Sequence, residues 1–158
     1  MNAEVFVSGN SFQLIDGPEP AFPDPAALEA SNGLLCAFER GGMVLTGIDM
    51  GTVRVGVQAL ADEPGLDLNR WDEVVDVSIH APEGRLGVVS NLGDDPLGLP
   101  FLTSHGSGTY RVRVNACGRA LAPKAIVNES EEEYLLQAWP AQATADFTHR
   151  VLFHRLRI

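Results

Sequence analysis

Three segments of the chain alternate apolar and polar residues with a period of two: Thr52–Gln58, Val75–Ile79 and Thr109–Cys117. Successive side chains of a β-strand point to opposite faces of the sheet, so this spacing is typical of strands with one buried face. We therefore predict strands in all three segments, and the fold of the remaining sequence has to be compatible with a sheet.

Weaker strand patterns surround these three segments. Turn signals rich in glycine, proline and asparagine separate them at intervals of about 8–12 residues, which indicates a sandwich or barrel. So many short strands favour two packed sheets, because a single sheet would leave one apolar face in water. We predict an all-β fold, an antiparallel two-sheet β-sandwich of jelly-roll-like form. The weaker strands are expected at Glu4–Ser8, Ser11–Asp16, Leu34–Arg40, Met43–Ile48, Arg85–Ser90 and Glu133–Trp139.

Helical signals are few, so the predicted fold contains one or two short helices. Asp24–Ala30 starts with an N-cap aspartate, has proline at the first helical position and precedes an Asn-Gly stop. Asn128–Glu133 is the second helix candidate, because its acids would complement the positive end of a helix dipole. Val151–Phe153 is apolar on both faces and predicts a buried final strand, with Arg155 and Arg157 on its exposed side.

The length of 158 residues, 45% of them hydrophobic, suits one domain with its own core, so residues 1–158 are predicted to form a single domain. No apolar run approaches the length of about 18 residues that a membrane span needs, and the first residues lack the basic start of a secretory signal. We therefore expect a cytoplasmic protein that does not span a membrane. In that compartment a disulfide is not expected, and Cys36 is predicted to lie in the core.

Negative charge is concentrated in the first part of the chain. The formal net charge is −10, and residues 1–100 carry 16 acidic against 4 basic side chains. A nucleic-acid-binding protein needs a basic face to displace counterions from phosphate, so nucleic acid is not expected as a partner. An acidic surface instead attracts a basic protein, in a complex that weakens as salt rises. The residues expected to contact it are Asp72, Glu73, Asp76, Asp94 and Asp95.

No catalytic motif is recognisable in the sequence, which favours a non-enzymatic protein without a cofactor or metal ion. Ser104 and His105 place a hydroxyl beside an imidazole, but catalytic triads join distant segments, so an exposed hairpin connection is expected here. His80 shares a polar strand face with an aspartate, which gives two potential metal ligands without a third. Acids of this strand are expected to pair across strands with Arg111 and Arg113.

The leading functional hypothesis is an acidic protein-interaction domain that binds a basic protein. Two alternatives stay open. One is a small-ligand or carbohydrate-binding sandwich, or an enzyme with an unfamiliar site, with a cleft near Trp71, His80 or His105. Its ligand binding or activity would depend on one of the two histidines. The other is a structural module, which would form a homo-oligomer without another partner.

Several short segments, in their order along the chain, resemble the competence protein J family. They are Ser11–Asp16 with the acidic proline-rich stretch after it, Ser31–Leu34, the strand after Trp71, and Gly108–Val112. That family comprises small bacterial β-rich proteins associated with inhibition of a partner nuclease. The resemblance implies a β-rich fold and no catalytic residue. For the acidic interaction domain it implies the role of an inhibitor or immunity factor for a basic partner such as a nuclease or toxin. The segments Trp71–Val75 and Gly108–Val114 are also similar to actinobacterial β-rich proteins.

Overall fold

Ten β-strands and one short helix form the described part of the chain, which is residues 2–19, 21–90 and 98–152 of a computed structural model. The strongly alternating segments are strands, as predicted. The elements are β1 (Asn2–Val7), β2 (Ser11–Asp16), α1 (Pro25–Glu29), β3 (Leu35–Phe38), β4 (Gly41–Leu45), β5 (Met50–Ala59), β6 (Glu73–Ala81), β7 (Leu86–Val89), β8 (Gly108–Cys117), β9 (Ile126–Pro140) and β10 (Phe147–Arg150).

The strands form two sheets, which confirms the predicted all-β sandwich. A six-stranded sheet has the order β1-β5-β9-β8-β6-β10, and a four-stranded sheet has the order β3-β4-β2-β7. Neighbouring strands run antiparallel except for β5 and β9, which pair in parallel. This parallel pair departs from the predicted antiparallel pattern. It arises because β9 turns back from β8 and lies against β5, a strand far from it in sequence.

The core lies between the inner faces of the two sheets. The apolar positions of the alternating strands point into it, so Val53, Val75 and Val112 are buried. Phe12 of the small sheet meets Tyr134 of the large sheet edge to face, with ring centroids 5.5 Å apart. Burial of each such side chain contributes about 1.5–3 kcal/mol relative to leaving it exposed. The apolar phase of the sequence therefore determines which face of each strand turns inward.

One of the two predicted helices forms. In α1 the side chain of Asp24 accepts a hydrogen bond from the Ala26 amide at 3.1 Å, and Pro25 opens the helix, as expected for this pattern. The second prediction, a helix at Asn128–Glu133, is wrong, because these residues belong to β9. The β9 register against β5 shifts twice in this segment, so extra residues are inserted into the strand and obscure its alternation.

The last strand pairs with β6 and is β10, which lies just before the predicted Val151–Phe153 strand. Val151 and Leu152 follow it without strand structure, while Phe153, Arg155 and Arg157 lie outside the described residues. Within the described ranges, no helix is long and apolar enough to cross a membrane.

Candidate protein interaction surface

The outer face of the six-stranded sheet is covered over β6, β8 and the end of β9. Arg113 donates to the backbone oxygen of Pro64 at 3.0 Å, and Arg111 donates to the backbone oxygens of Thr144 and Ala145 at 3.2 and 2.9 Å. Two loops therefore lie across this region, which we call the closed half. Its outward side chains are buried although they are polar or amphipathic: Arg111, Arg113, Asn115, Gln137 and Trp139.

An ion pair between β6 and β8 lies at the centre of the closed half. Asp76 stands directly opposite Arg113, which donates to it from Nε at 2.8 Å and from Nη2 at 3.0 Å. His149 of β10 lies 2.9 Å from the same carboxylate. Burial acts to raise the pKa of Asp76, but the hydrogen bonds from Arg113 and His149 outweigh it, and the pKa falls below its usual value. The predicted cross-strand pairing of acids with arginines is confirmed for this pair.

A second ion pair lies at one end of the core and links the two sheets. Glu73 of β6 receives hydrogen bonds from Nε and Nη2 of Arg119 at 3.0 and 2.7 Å. The remaining guanidinium nitrogen of Arg119 donates to the backbone oxygens of Gly33 and Leu45, both at 2.9 Å, beside strands of the small sheet. Because both side chains are almost fully buried, this contact is a structural cross-link.

Beside this pair, Glu132 points inward from β9. Its carboxylate accepts hydrogen bonds from the amides of Gly47 and Ile48 at 3.0 and 2.7 Å and from the Tyr134 hydroxyl at 2.6 Å. Burial raises the pKa of Glu132, although these three donors oppose the rise. Burial also raises the pKa of Tyr134 well above its usual value. Glu132 therefore holds the turn after β4 against β9.

The five acids predicted to contact a partner have different surroundings. Glu73 and Asp76 are 2% and 6% exposed and take part in the two internal ion pairs, so the structure does not present them on an acidic surface. The physical reason is that two arginines far away in sequence, together with the covering loops, enclose them. Asp72 is exposed, and its carboxylate accepts the Gly118 amide at 3.2 Å. Asp94 and Asp95 lie outside the described residues.

The other part of the outer face, on β1, β5 and the first half of β9, is open. A groove of about 340 Å³ lies here, lined by five glutamates and one arginine. Glu4, Glu129 and Glu131 are exposed in it, and Glu132 lies buried beneath. We call this region the open half. The residues that line the groove are Glu4, Thr52, Val53, Arg54 and Glu129 to Glu133.

The register explains why the groove is acidic. Glu4 of β1 and Glu133 of β9 both lie opposite Arg54 of β5, one on each side. Glu129 and Glu131 are exposed and Glu133 is half-buried, whereas Glu132 is buried. Sequence reasoning missed this surface because it assigned the acids to a helix. The recurrence of glutamate at 129, 131 and 133 was the available signal for a strand with an acidic face.

The histidine candidates do not form a catalytic group. Ser104 Oγ lies 2.8 Å from the backbone oxygen of Leu60 and 2.8 Å from Nδ1 of His105. A carbonyl oxygen can only accept, so the hydroxyl proton goes to Leu60 and the ring Nδ1 donates to Ser104, which leaves no base for the hydroxyl. His80 bonds to Thr109 at 3.1 Å, and Trp71 is buried beneath a guanidinium group. Among the described residues, no three potential ligands cluster to hold a metal ion.

The geometry defines an all-β sandwich of two sheets, and the similarity in fold to a solved structure agrees with that class. The chain is similar to ComJ from Bacillus subtilis, described as an inhibitor of the DNA degrading activity of NucA. The two share 14% sequence identity over 89% of this chain and 96% of ComJ, with a TM-score of 0.57. The resemblance to the competence protein J family is thereby confirmed as a likeness of fold.

A second similar structure is that of crocagin biosynthetic gene J, with 17% identity over 90% of this chain and 98% of that one and a TM-score of 0.45. No protein-family model matches the chain. No curated protein matches it either.

Proposed function

We propose that this protein is a non-enzymatic inhibitor that binds a basic nuclease through the open half of its outer sheet face. The observation that carries the proposal is the groove in which Glu4, Glu129 and Glu131 are exposed around a single arginine. The likeness in fold to an inhibitor of a nuclease supports the choice of partner class. Asp72 is proposed as a further contact, and residues 1–158 as one binding domain.

The chemistry of the partner explains how such a surface can inhibit. An enzyme that degrades DNA has to neutralise phosphates with lysine and arginine side chains. Exposed carboxylates compete with phosphates for the same cations, so a groove of glutamates can occupy the DNA-binding surface. Opposite potentials also accelerate the encounter of the two proteins and suppress wrong partners. Binding is therefore expected to weaken as salt rises.

The position of Asp72 is consistent with the same surface. Gly118 lies between Asp72 and the groove. Its amide donates to the Asp72 carboxylate, and a Cβ atom at this glycine would lie 3.1 Å from the backbone oxygen of Glu131. Arg70 pairs with Glu133 at 3.0 Å beside them, and both side chains are partly exposed. Asp72 therefore lies near the groove, at the end of β8 and beside the Arg70–Glu133 pair.

Equilibrium binding to purified NucA tests the proposal. The variant E129Q/E131Q removes two charges from the groove and is expected to weaken binding about tenfold, mostly through slower association. The variant E29Q/E39Q removes the same charge from exposed positions outside the large sheet and serves as the matched control. Absence of binding, or an equal loss in both variants, would contradict the proposal.

A further inference from the structure

The four edge strands of the two sheets differ in length and regularity. At the edges of the large sheet, β1 has six residues, all in continuous register with β5, whereas β10 has four residues and a register shift against β6. At the edges of the small sheet, β3 and β7 have four residues each. Among the described residues, β1 is therefore the longest edge and a fully regular one.

Proteins protect edge strands against unwanted pairing by shortening them, by bulges, by proline, or by charged residues. The β1 sequence Asn-Ala-Glu-Val-Phe-Val contains no proline, lysine or bulge, and Glu4 is its single charge. Val5 and Val7 are buried in the core, so the strand is held firmly in place. Its strand pairing within the described chain is with β5, which leaves the opposite side for another strand.

An apolar patch adjoins this edge on the outer face. Phe6 and Met50 are 38% and 37% exposed, and Ile126 is 73% exposed. Met50 lies opposite Ile126 in the β5–β9 pairing, and Phe6 lies opposite Thr52, one step along the same face. The patch thus lies beside the acidic groove of the open half. Exposed apolar side chains surrounded by charged residues are typical of an interaction surface.

We propose that β1 is a docking edge, at which a basic extended segment of the partner adds to the six-stranded sheet as a further strand. This proposal rests on the proposed function for the sign of the partner's charge. Backbone hydrogen bonds along β1 would supply affinity, and alternate side chains would supply specificity. On the outer face, a lysine or arginine of the added strand would lie against Glu4, and an apolar residue would lie against Phe6.

A second copy of this chain fits the edge poorly. In the antiparallel register centred on Glu4, the two Glu4 carboxylates would lie directly opposite each other, which destabilises the pair. Both acidic grooves would then lie on the same face, and each molecule carries a net charge of −10. A basic strand reverses each of these repulsions into an attraction, so charge complementarity selects it as the occupant.

The test uses the whole chain labelled with ¹⁵N and a capped peptide, Thr-Thr-Lys-Thr-Val-Thr-Thr, whose lysine and valine lie on one face of the strand. Amide shifts and amide exchange are followed by NMR during the titration. The peptide is expected to shift the amides of Asn2–Val7 and to slow the exchange of alternate ones. A peptide with glutamate in place of lysine is the control, and we expect it to leave these amides unchanged.

A charge reversal sharpens the test. The variant E4K changes an exposed side chain, and we expect it to weaken binding of the lysine peptide about fivefold and to permit binding of the glutamate peptide. The control variant E29K has the same net charge as E4K and also changes an exposed glutamate. We expect it to bind the lysine peptide as the original chain does.

Shifts confined to Glu129–Glu133, or no shifts in Asn2–Val7 with the lysine peptide, would overturn the docking edge. Concentration-dependent shifts of β1 without peptide would overturn the choice of occupant in favour of a second copy. The proposed function is tested separately by the binding of NucA, because the peptide titration involves no nuclease.

Discussion

Glu73 and Arg119 form a two-point ion pair that joins the sheets from inside the protein, with side chains 2% and 0% exposed. Removing one partner of a buried pair leaves the other charge without compensation, which costs about 3–5 kcal/mol. We therefore expect E73Q to lower the free energy of unfolding by about that amount, measured by urea denaturation. E131Q, at an exposed position, is expected to change it by less than about 0.5 kcal/mol. Equal stabilities of the two variants would contradict this assignment.

The Asp76–Arg113 pair makes stability depend on pH. The pKa of Asp76 is lower in the folded protein than its usual value of 3.8, so its contribution is present above that value and is lost as pH falls through the folded pKa. We expect D76N to lower the free energy of unfolding by about 3 kcal/mol at neutral pH. The difference between D76N and the original chain should shrink in acid. A difference that is constant from neutral to acid pH would contradict the ionised pair.

The Tyr134 hydroxyl donates to a buried carboxylate, so its removal is expected to be costly. Y134F keeps the edge-to-face contact with Phe12 but leaves Glu132 with one donor fewer. We expect a loss of about 1.5–3 kcal/mol in the free energy of unfolding, the range for hydrogen bonds to charged groups. Y110F removes a hydroxyl that donates to the backbone oxygen of Gly106 and accepts from the His105 amide. Both partners are neutral and belong to exposed residues that water can solvate, so the loss should be about 1 kcal/mol. The reverse order of the two losses would argue against an ionised Glu132.

The serine and histidine beside β8 are expected to play no part in inhibition. Ser104 gives its proton to a backbone oxygen, and His105 is exposed. The variant S104A/H105A should therefore bind NucA as the original chain does, when both are compared in the same equilibrium binding assay. Loss of binding in this variant, without loss of stability, would place the functional surface at this loop instead.

The sequence allowed the two-sheet sandwich to be predicted because its signal is local. Alternation in Thr52–Gln58 and Thr109–Cys117 determines which face of each strand is buried, and the tertiary structure preserves it. The position of β9 depends on non-local pairing. Its parallel alignment with β5 and its two register shifts have no local signature, so the glutamates of Asn128–Glu133 were interpreted as the start of a helix.

The candidate site was harder to predict for a related reason. Nothing in the sequence distinguishes Asp72, Glu73 and Asp76 from one another. In the structure Asp72 is exposed, whereas Glu73 and Asp76 are buried. Glu73 meets Arg119 and Asp76 meets Arg113 only after distant segments come together. The cross-strand pair of Asp76 was predictable because both strands were recognised and their polar faces matched. The acidic groove required the position of β1 beside β5, for which the sequence contains no direct signal.

The most direct measurement is the initial rate of DNA degradation by NucA in the presence of increasing amounts of this protein, at low and at high salt. We expect the rate to fall as the protein is added, high salt to restore it, and E129Q/E131Q to inhibit much less than the control E29Q/E39Q. A rate that is unchanged by an excess of the protein at low salt would contradict the proposed inhibition. Inhibition that is the same at both salt concentrations and in both variants would contradict the acidic groove as its cause.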